Sequence, residues 1–305
     1  EAEAKIFDIS QRSQKRDVTH ISPVIGEAFE RMRNASKNEG NISGIPSGFT
    51  ELDKITSGWQ KSDLVIIAAR PAMGKTAFVL SMAKNMAVDY KIPVAIFSLE
   101  MSNVQLVNRL IMNVCEIEGS KIRNGRLSQT EWEKLENNIR PLGDAPIYVD
   151  DTPGLSVFEL RSKARKLVRE KDIKVIIIDY LQLMNANGAF FGSREQEVSI
   201  ISRTLKGLAK ELDIPVIALS QLSRNVEKRD SSNSNVDGKK PLLSDLRESG
   251  AIEQDADMVC FIHRPEYYKL YDDGNGKDLR GLGQIIVAKH RNGATDEIWL
   301  RFIGK

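Results

Sequence analysis

Hydrophobic positions follow two successive patterns along the chain. Near the amino terminus, Ser22 and Pro23 form a helix start, and Ile25, Phe29 and Met32 follow at helical spacing. From residue 64 onward, short apolar runs alternate with helical stretches. The runs are Leu64–Ala69, Val94–Leu99, Ile147–Val149, Val175–Ile178, Val216–Leu219, Met258–Ile262, Ile285–Ala288 and Ile298–Ile303. Nearly continuous apolar runs are typical of strands covered on both faces, so we expect an α/β fold with a mainly parallel central sheet flanked by helices.

Some segments depart from this alternation. The last two runs flank Lys289–Glu297, and this arrangement is compatible with an antiparallel hairpin at the sheet edge. Lys37–Ser47, rich in Gly, Asn and Ser, ends the first periodic helix. Asn185–Gly192 and Asn225–Lys240 have no periodicity. Long uncommitted loops in a compact domain are usually functional or disordered.

The first residues predict an appendage. Residues 1–12 are typical of a short helix that needs a surface to dock on, and Ser13–Thr19 resembles a tether. We therefore expect a linker helix and tether over residues 1–20 and one α/β domain over residues 21–305. Two explanations of the opening helix stay open: a fragment whose earlier domain is missing, or a helix packed on its own domain.

Composition narrows the function classes. Of 305 residues, 41% are hydrophobic, which is enough for a sizeable core. Lysine and arginine number 44 against 42 acidic residues, so an anionic partner must be met by a local patch instead of by bulk charge. Two cysteines and no membrane-length apolar run predict a cytoplasmic protein with no membrane partner. Three scattered histidines do not suggest a zinc site.

The strand Leu64–Ala69 leads into a phosphate-binding sequence. Its residues are Arg70, Pro71, Ala72, Met73, Gly74, Lys75, Thr76 and Ala77. A strand, a tight loop, Gly-Lys-Thr and an apolar helix form the context of a P-loop, whose backbone N–H groups wrap phosphates. Lys75 is then expected to reach the β- and γ-phosphates of ATP, and Thr76 to ligate Mg²⁺. Ala69 replaces the first glycine of the strict pattern, and a Gly-Lys-Thr that merely starts a helix is the alternative.

Three other strands are followed by polar residues suited to ATP hydrolysis. Asp179 is predicted to hold Mg²⁺, through water, as the Walker B acid. Glu100 is predicted to orient and deprotonate the attacking water. Gln221 either senses the γ-phosphate or acts only as a hydrogen-bonding strand end. Because parallel strands end at one sheet edge, we expect these side chains beside the P-loop. Glu100 favours hydrolysis over nucleotide binding alone.

At these residues the sequence resembles the bacterial replicative DNA helicases of the DnaB family, within the RecA-like ATPases. The matching strings are Ala69–Thr76, Phe97–Met101, Ile176–Leu183, Ala218–Arg224, Leu243–Asp257 and Lys289–Gly293. The resemblance implies a RecA-like P-loop NTPase core and a homohexameric ring around single-stranded DNA, with ATP at each subunit interface. It also implies 5′→3′ movement with duplex unwinding at the replication fork, and primase and a helicase loader as partners. The resemblance further implies that the opening helix is the family's linker helix, and residues matching the family's N-terminal domain are not expected within this sequence.

The resemblance also assigns further residues. Arg109 is expected to contact the γ-phosphate within its own chain. Lys289 and Arg291, here called the finger pair, are expected to enter the neighbouring subunit's site. Their alternation alone shows only two cations on one face, which solvent exposure explains equally well. The DNA-binding loop is expected at four residues: Arg247, Glu248, Ser249 and Gly250. A cation and small residues suit contact with the DNA backbone, so weak sequence preference is expected.

Two other basic stretches have competing interpretations. Asn225–Lys240 carries Lys228, Arg229, Lys239 and Lys240, and it either lines the DNA channel or, as we favour, is a disordered surface loop. Arg161–Lys174 is more basic, but its apolar stripe predicts the solvent face of an amphipathic helix and not the DNA site.

Other members of the RecA-like class remain alternatives to a helicase. A recombinase or a clock-type ring ATPase without unwinding activity has the same core. The 245–250 segment and the finger pair favour the helicase. A nucleotide-dependent scaffold without turnover is disfavoured by Glu100 and Gln221.

Overall fold

The computed structural model of the protein describes residues 20–37, 42–186, 193–229, 236–246, 250–274 and 276–303. The helix predicted over residues 1–12 and the following tether lie outside the described residues. The chain divides into two compact units, residues 1–43 and residues 44–305. The boundary predicted between residues 20 and 21 falls within the first unit and stays a prediction.

In the first unit, one helix is described, α1 (Ile21–Lys37). It confirms the helix predicted from the apolar spacing but begins one residue before the expected cap. Pro23 therefore lies in the first turn, where its missing N–H removes no helical hydrogen bond.

The second unit contains an eight-stranded sheet in the order β3-β2-β4-β5-β1-β6-β7-β8. The strands are β1 (Leu64–Ala69), β2 (Val94–Ser98), β3 (Ile147–Asp150), β4 (Val175–Asp179), β5 (Val216–Gln221), β6 (Met258–His263), β7 (Leu282–His290) and β8 (Asp296–Arg301). The first six are parallel, and β7 and β8 continue the sheet antiparallel. All eight apolar runs are therefore strands, and the predicted edge hairpin is confirmed.

Helices cover the sheet. After α1 they are α2 (Thr50–Thr56), α3 (Lys75–Lys84), α4 (Asn103–Cys115), α5 (Gly119–Asn124), α6 (Gln129–Gly143), α7 (Val157–Lys171), α8 (Arg194–Leu212), α9 (Asn225–Lys228) and α10 (Gly250–Asp255). Two buried apolar clusters follow from the alternating faces of the strands. Leu64 and Ile66 belong to one cluster, and Val65 and Ile67 belong to the other. The α/β fold with a mainly parallel sheet is confirmed. Within the described ranges, no helix is long and apolar enough to cross a membrane.

The basic stretch 161–174 behaves as predicted. Helix α7 buries Val157, Leu160 and Ala164 against the core. On its outer side, Arg161 and Arg165 both pair with Glu211 of α8. The cations of this helix therefore lie on its partly exposed outer side.

The described parts of the segment 225–240 are more ordered than the sequence suggests. It contains the helical turn α9 and a 3₁₀ turn at Val236–Lys239, while residues 230–235 lie outside the described residues. Three of its four basic residues bind groups of the same chain, since Arg229 contacts Asp245, Lys239 contacts backbone carbonyls and Lys240 contacts Glu297. The expectation of a disordered loop is wrong for these residues, because ion pairs distant in sequence order them. The other predicted loop, Asn185–Gly192, lies outside the described residues from position 187 onward.

Candidate functional site

The loop between β1 and α3 has the strained backbone that a phosphate cradle requires. Ala72 and Gly74 have positive φ angles of 63° and 90°. The Met73 N–H donates to the Arg70 carbonyl at 3.3 Å, which closes the turn. The loop leads directly into α3, so the unpaired N–H groups of that helix start point toward the loop. A backbone of this kind binds anions through N–H groups and the helix dipole.

Lys75, Thr76 and Asp179 meet at the edge of the sheet where the parallel strands end, here called the carboxyl edge. The Thr76 hydroxyl donates to Asp179 Oδ2 at 2.9 Å. Lys75 Nζ lies 3.8 Å from Asp179 Oδ1. Asp179 is only 4% exposed, yet its Oδ1 has no hydrogen-bond partner among the described residues. The carboxylate therefore keeps one buried oxygen available for a ligand.

Charge at this site is held in a poorly solvated setting. Burial lowers the pKa of Lys75, while the negative charges of Asp179 and Glu100 oppose the shift. The Lys75 ammonium also lies 4.5 Å from the ring centroid of Tyr180. Burial raises the pKa of the Tyr180 phenol, and the two carboxylates raise it further. A polyanion at this position would stabilise the charged form of Lys75.

Glu100 and Arg109 line one cavity with the phosphate loop. Glu100 follows β2, whose last residue pairs with Asp179 in register, and Arg109 projects from α4. Both side chains are exposed and border a cavity of about 1040 Å³ that also touches Gly74 and Ala77. This volume is sufficient for a ligand of nucleotide size. The structure thus brings the predicted base and the predicted γ-phosphate contact to the same cavity as the loop.

Gln221 ends β5 directly beside the phosphate loop. It pairs in register with Ala69, the last residue of β1. Its backbone is held by Gln182, whose Oε1 accepts from the Gln221 N–H and whose Nε2 donates to Ser220 Oγ at 2.8 Å. Gln182 was not predicted as a site residue. The sequence feature that could have indicated Gln182 is its position three residues after Asp179.

The finger pair lies at the other edge of the sheet, here called the amino edge, where β1 and β6 begin. Lys289 Nζ donates to the carbonyls of Glu253 and Ala256 at 2.5 and 2.8 Å. The guanidinium of Arg291 lies 3.2 Å from Asp257 Oδ1. Burial lowers the pKa of Lys289, and the positive charge of Arg291 lowers it further. Both cations therefore reach in the same direction, as their alternation predicted.

Register places the finger pair far from the phosphate loop of the same chain. Lys289 pairs with Val259, and Val259 pairs with Ile66 of β1. Arg291 follows the strand and bonds through its N–H to Asp257, which precedes β6. Ala69 lies at the opposite end of β1, roughly 10–15 Å along the strand at about 3.3 Å per residue. The finger pair is thus separated from the site of its own chain.

A second contact to the loop was missed from the sequence. The Arg264 guanidinium stacks on the Phe302 ring at 3.6 Å, and Arg264 Nη1 donates to the Ala72 carbonyl at 3.4 Å. A Cβ placed on Gly74 would lie 2.6 Å from the Phe302 ring. These residues pack against the loop from β6 and from the end of the chain. Phe302 lies within the apolar run predicted from residue 298, but its contact with the loop depends on tertiary structure.

Other predicted site residues are placed less completely. Arg70 turns its side chain away from the loop, where it pairs with Glu227. Pro71 and Ala72 are exposed, and Met73 is buried. Arg247, Glu248 and Ser249 lie outside the described residues, whereas Gly250 is exposed and begins α10. The DNA-binding assignment therefore stays a prediction.

The donor set fits a magnesium ion. Mg²⁺ prefers oxygen ligands and usually keeps several waters. Here a threonine hydroxyl and a buried carboxylate with one unpaired oxygen lie side by side next to the phosphate loop. This geometry suits the predicted roles of Thr76 and Asp179.

Fold and site together define a P-loop NTPase with a RecA-like sheet. Comparison with known proteins narrows this class. Residues 44–305 match the family described as the DnaB-like helicase C terminal domain. The chain belongs to this family.

Relatives agree with this assignment. The replicative DNA helicase DnaB of Geobacillus stearothermophilus is 46% identical over 303 residues, covering 99% of this chain and 64% of that protein. The replicative DNA helicase DnaC of Bacillus subtilis (strain 168) is 44% identical, with the same two coverages. The chain therefore spans 64% of the length of these two relatives.

Solved structures show the same fold. The ATPase domain of G40P superposes with a TM-score of 0.85 at 41% identity, covering 94% of this chain and 96% of that one. A DnaB-like replicative helicase studied for its interactions with primase gives a TM-score of 0.80 at 40% identity, covering 99% and 69%. The RecA-like ATPase architecture expected from the resemblance is thus confirmed.

Proposed function

We propose that this chain is the motor of a replicative DNA helicase, which couples ATP hydrolysis to 5′→3′ movement along single-stranded DNA and to duplex unwinding. The observation that carries the proposal is the arrangement of Lys75, Thr76 and Asp179 around one buried carboxylate oxygen that accepts no hydrogen bond. Similarity to proteins named replicative DNA helicases supports the wider activity.

The residues of the carboxyl edge divide the work of hydrolysis. The loop from Arg70 to Ala77 would hold the phosphates of ATP through its N–H groups and through Lys75. Thr76 and Asp179 would hold Mg²⁺, which would neutralise phosphate charge when bound. Glu100 would accept a proton from the attacking water, and its place on the cavity wall supports this role.

Two side chains would respond to the γ-phosphate. Arg109 lines the same cavity as Glu100 and would contact this group within the chain. Gln221 would sense it from the strand next to β1. Both assignments come from the resemblance and the end of the strand, and the geometry is compatible with them.

The finger pair would complete the site of a neighbouring subunit. Its position at the amino edge supports this proposal, because Lys289 and Arg291 are separated from the loop of their own chain. We therefore propose a homohexameric ring with ATP at each subunit interface. An arginine finger contributes roughly 10³–10⁵-fold to turnover in phosphoryl transfer.

DNA and partner proteins complete the proposal. Single-stranded DNA would pass residues 247–250, where a cation and small residues suit backbone contact. Primase and a helicase loader are proposed as partners. A 40% identical helicase whose structure was described with its primase interactions supports the first of these. We place this activity at the replication fork in the cytoplasm.

The proposal is tested by ATP hydrolysis measured against protein concentration, with and without oligothymidylate. We expect the rate to rise more steeply than linearly and to increase with the oligonucleotide. The Glu100→Gln and Arg291→Ala chains should each be inactive alone. Mixing them should restore activity, since the first supplies Arg291 and the second supplies Glu100. A linear rate that ignores DNA, with no regain on mixing, would contradict an interface site and point to another RecA-like ATPase.

A further inference from the structure

The first residue of the phosphate loop is bound to a different part of the chain. Arg70 is 7% exposed, although it carries a full positive charge. Its Nε and Nη2 donate to Glu227 Oε1 at 2.9 and 2.8 Å, and its Nη1 donates to the Leu222 carbonyl at 2.8 Å. The backbone is joined there too, because the Leu222 N–H donates to the Ala69 carbonyl at 3.1 Å. The loop is therefore attached to the segment that follows β5.

Glu227 belongs to α9, and this turn is tied to the next one. Lys239 Nζ donates to the Glu227 carbonyl at 3.0 Å and also contacts the Arg229 carbonyl. Arg229 Nη1 donates to the Lys240 carbonyl at 3.0 Å. Three polar contacts thus hold residues 227–229 against residues 239–240, although the sequence between them is rich in Ser and Asn.

Arg229 continues the chain of contacts to Asp245. This carboxylate is 4% exposed, and it accepts from the Arg229 guanidinium and from the Leu242 N–H, the latter at 2.7 Å. The Asp245 carbonyl accepts from the Ser223 N–H at 3.1 Å. Asp245 lies two positions before Arg247, where the predicted DNA-binding residues begin. Two ion pairs and several hydrogen bonds to backbone carbonyls therefore join the phosphate loop to Asp245, just before that segment.

We infer that this set, here called the polar bridge (Arg70, Glu227, Arg229, Lys239 and Asp245), couples nucleotide binding to DNA binding within one chain. The inference rests on the proposed function. Glu227 and Arg229 act as positioning residues, since they contact neither the phosphate loop's ligand cavity nor the predicted DNA residues among the described contacts. Rigid contacts between charged groups can carry such coupling when both sites bias the same element.

Coupling is measured as a ratio of affinities. The dissociation constant of fluorescent oligothymidylate is determined with and without a non-hydrolysable ATP analogue, in the wild type and in Glu227→Gln. We expect the nucleotide to change DNA affinity in the wild type by at least roughly fivefold, the lower end of typical coupling. In Glu227→Gln this ratio should fall toward one, while DNA affinity without nucleotide and nucleotide affinity without DNA stay close to wild type. A residue that only stabilises the fold would change both DNA affinities alike and leave the ratio intact.

A second variant and a control complete the test. Arg229→Gln breaks the bridge at its other end and should give the same loss of coupling, which keeps the test decisive if either variant unfolds. Glu211→Gln is the matched control, because Glu211 also forms ion pairs with arginine, here with two arginines on the outer side of α7. It should keep the wild-type ratio.

The two proposals fail differently. Wild-type protein in which DNA neither binds nor responds to the nucleotide would overturn the proposed function itself. Wild-type protein with a clear ratio that Glu227→Gln and Arg229→Gln both retain would overturn only the polar bridge.

Discussion

Two aspartates at opposite edges of the sheet show that the same type of side chain can have a structural role or a ligand-binding role. Asp179 at the carboxyl edge and Asp257 at the amino edge are each 4% exposed. Asp257 is saturated: it accepts from the Leu64 N–H and from Lys206, and Arg291 lies against its other oxygen. Asp179 accepts a hydrogen bond from Thr76 alone; its Oδ1 accepts none in the part of the chain that the structure describes, and Lys75 Nζ lies 3.8 Å from it.

The difference separates stability from ligand binding. A buried carboxylate that has cationic and N–H partners contributes to the fold, because removing it leaves those partners unpaired. A buried carboxylate with a free oxygen costs stability until a ligand fills the position. Asp179 therefore keeps an oxygen available for a ligand, whereas Asp257 is fully paired before any ligand binds.

The largest expected effect on folding is at the amino edge. Asp257→Ala leaves Lys206 and the Leu64 N–H without their acceptor, and breaking a buried ion pair costs about 3–5 kcal/mol. We expect the free energy of unfolding in urea to fall by about 3 kcal/mol. An unchanged urea midpoint would show that the amino edge does not depend on this carboxylate.

Asp179→Asn should have the reverse profile. The amide keeps the shape of the side chain but loses the charge that would hold Mg²⁺, so we expect the turnover number for ATP to fall by about 10²–10³-fold. The free energy of unfolding should fall by less than in Asp257→Ala, because Asp179 loses only one charged neighbour, Lys75, whose Nζ lies 3.8 Å away. Circular dichroism melts run beside the kinetic assay separate the two readouts. Large destabilisation of this variant would remove the distinction between the edges.

Gly74→Ala tests how tightly the carboxyl edge is packed. The position has φ of 90°, and a Cβ there would lie 2.6 Å from the Phe302 ring. Strained backbone of this type costs about 1–3 kcal/mol. We expect weaker binding of a fluorescent ATP analogue and a lower melting temperature. Adding Phe302→Ala should restore part of the loss, because only the backbone strain then remains, and no restoration would show that the ring contact is unimportant.

The smallest effect concerns pH and Asp63. Burial, the larger cause, and the charge of Asp257 raise the pKa of Asp63 to about 6, while Lys206 and Arg291 act against the shift. A carboxyl group whose pKa is raised on folding stabilises the protein below its unfolded pKa and loses this contribution as pH rises through about 6.

Asp63→Asn should therefore be more stable than the wild type at pH 7.5, by about 1 kcal/mol, and equal to it near pH 4. Urea unfolding at both pH values measures the difference. If Asp63→Asn were more stable than the wild type by the same amount at pH 7.5 and near pH 4, the gain would come from packing instead of from ionisation of Asp63.

Local pattern predicted most of the fold and the centre of the site. The eight strands could be predicted because each is a compact apolar run. The phosphate loop could be predicted because Gly74, Lys75 and Thr76 are adjacent. Asp179 and Glu100 could be placed beside them, since parallel strands end at one edge.

The remainder depends on contacts between distant residues. Arg70 was predicted as part of the loop, but nothing local shows that its side chain pairs with Glu227, 157 positions later. The order of residues 225–229 and 236–240 depends on contacts such as that of Arg229 with Asp245, which the polar composition does not indicate. Stacking of Arg264 on Phe302 likewise joins two separate strands' ends. Patterns of single segments carry no information on such pairs.

The placement of the finger pair has a consequence for counting. If Lys289 and Arg291 serve a neighbour, each chain supplies a finger pair to one neighbour and receives a finger pair from the other. Contacts between chains then run head to tail. An open row of chains then always has one finger pair without a neighbouring ATP site at one end, and one ATP site without a finger pair at the other. Only closure makes the number of working sites equal the number of chains. A ring that opens to admit a strand of DNA would therefore idle one site for as long as it stays open.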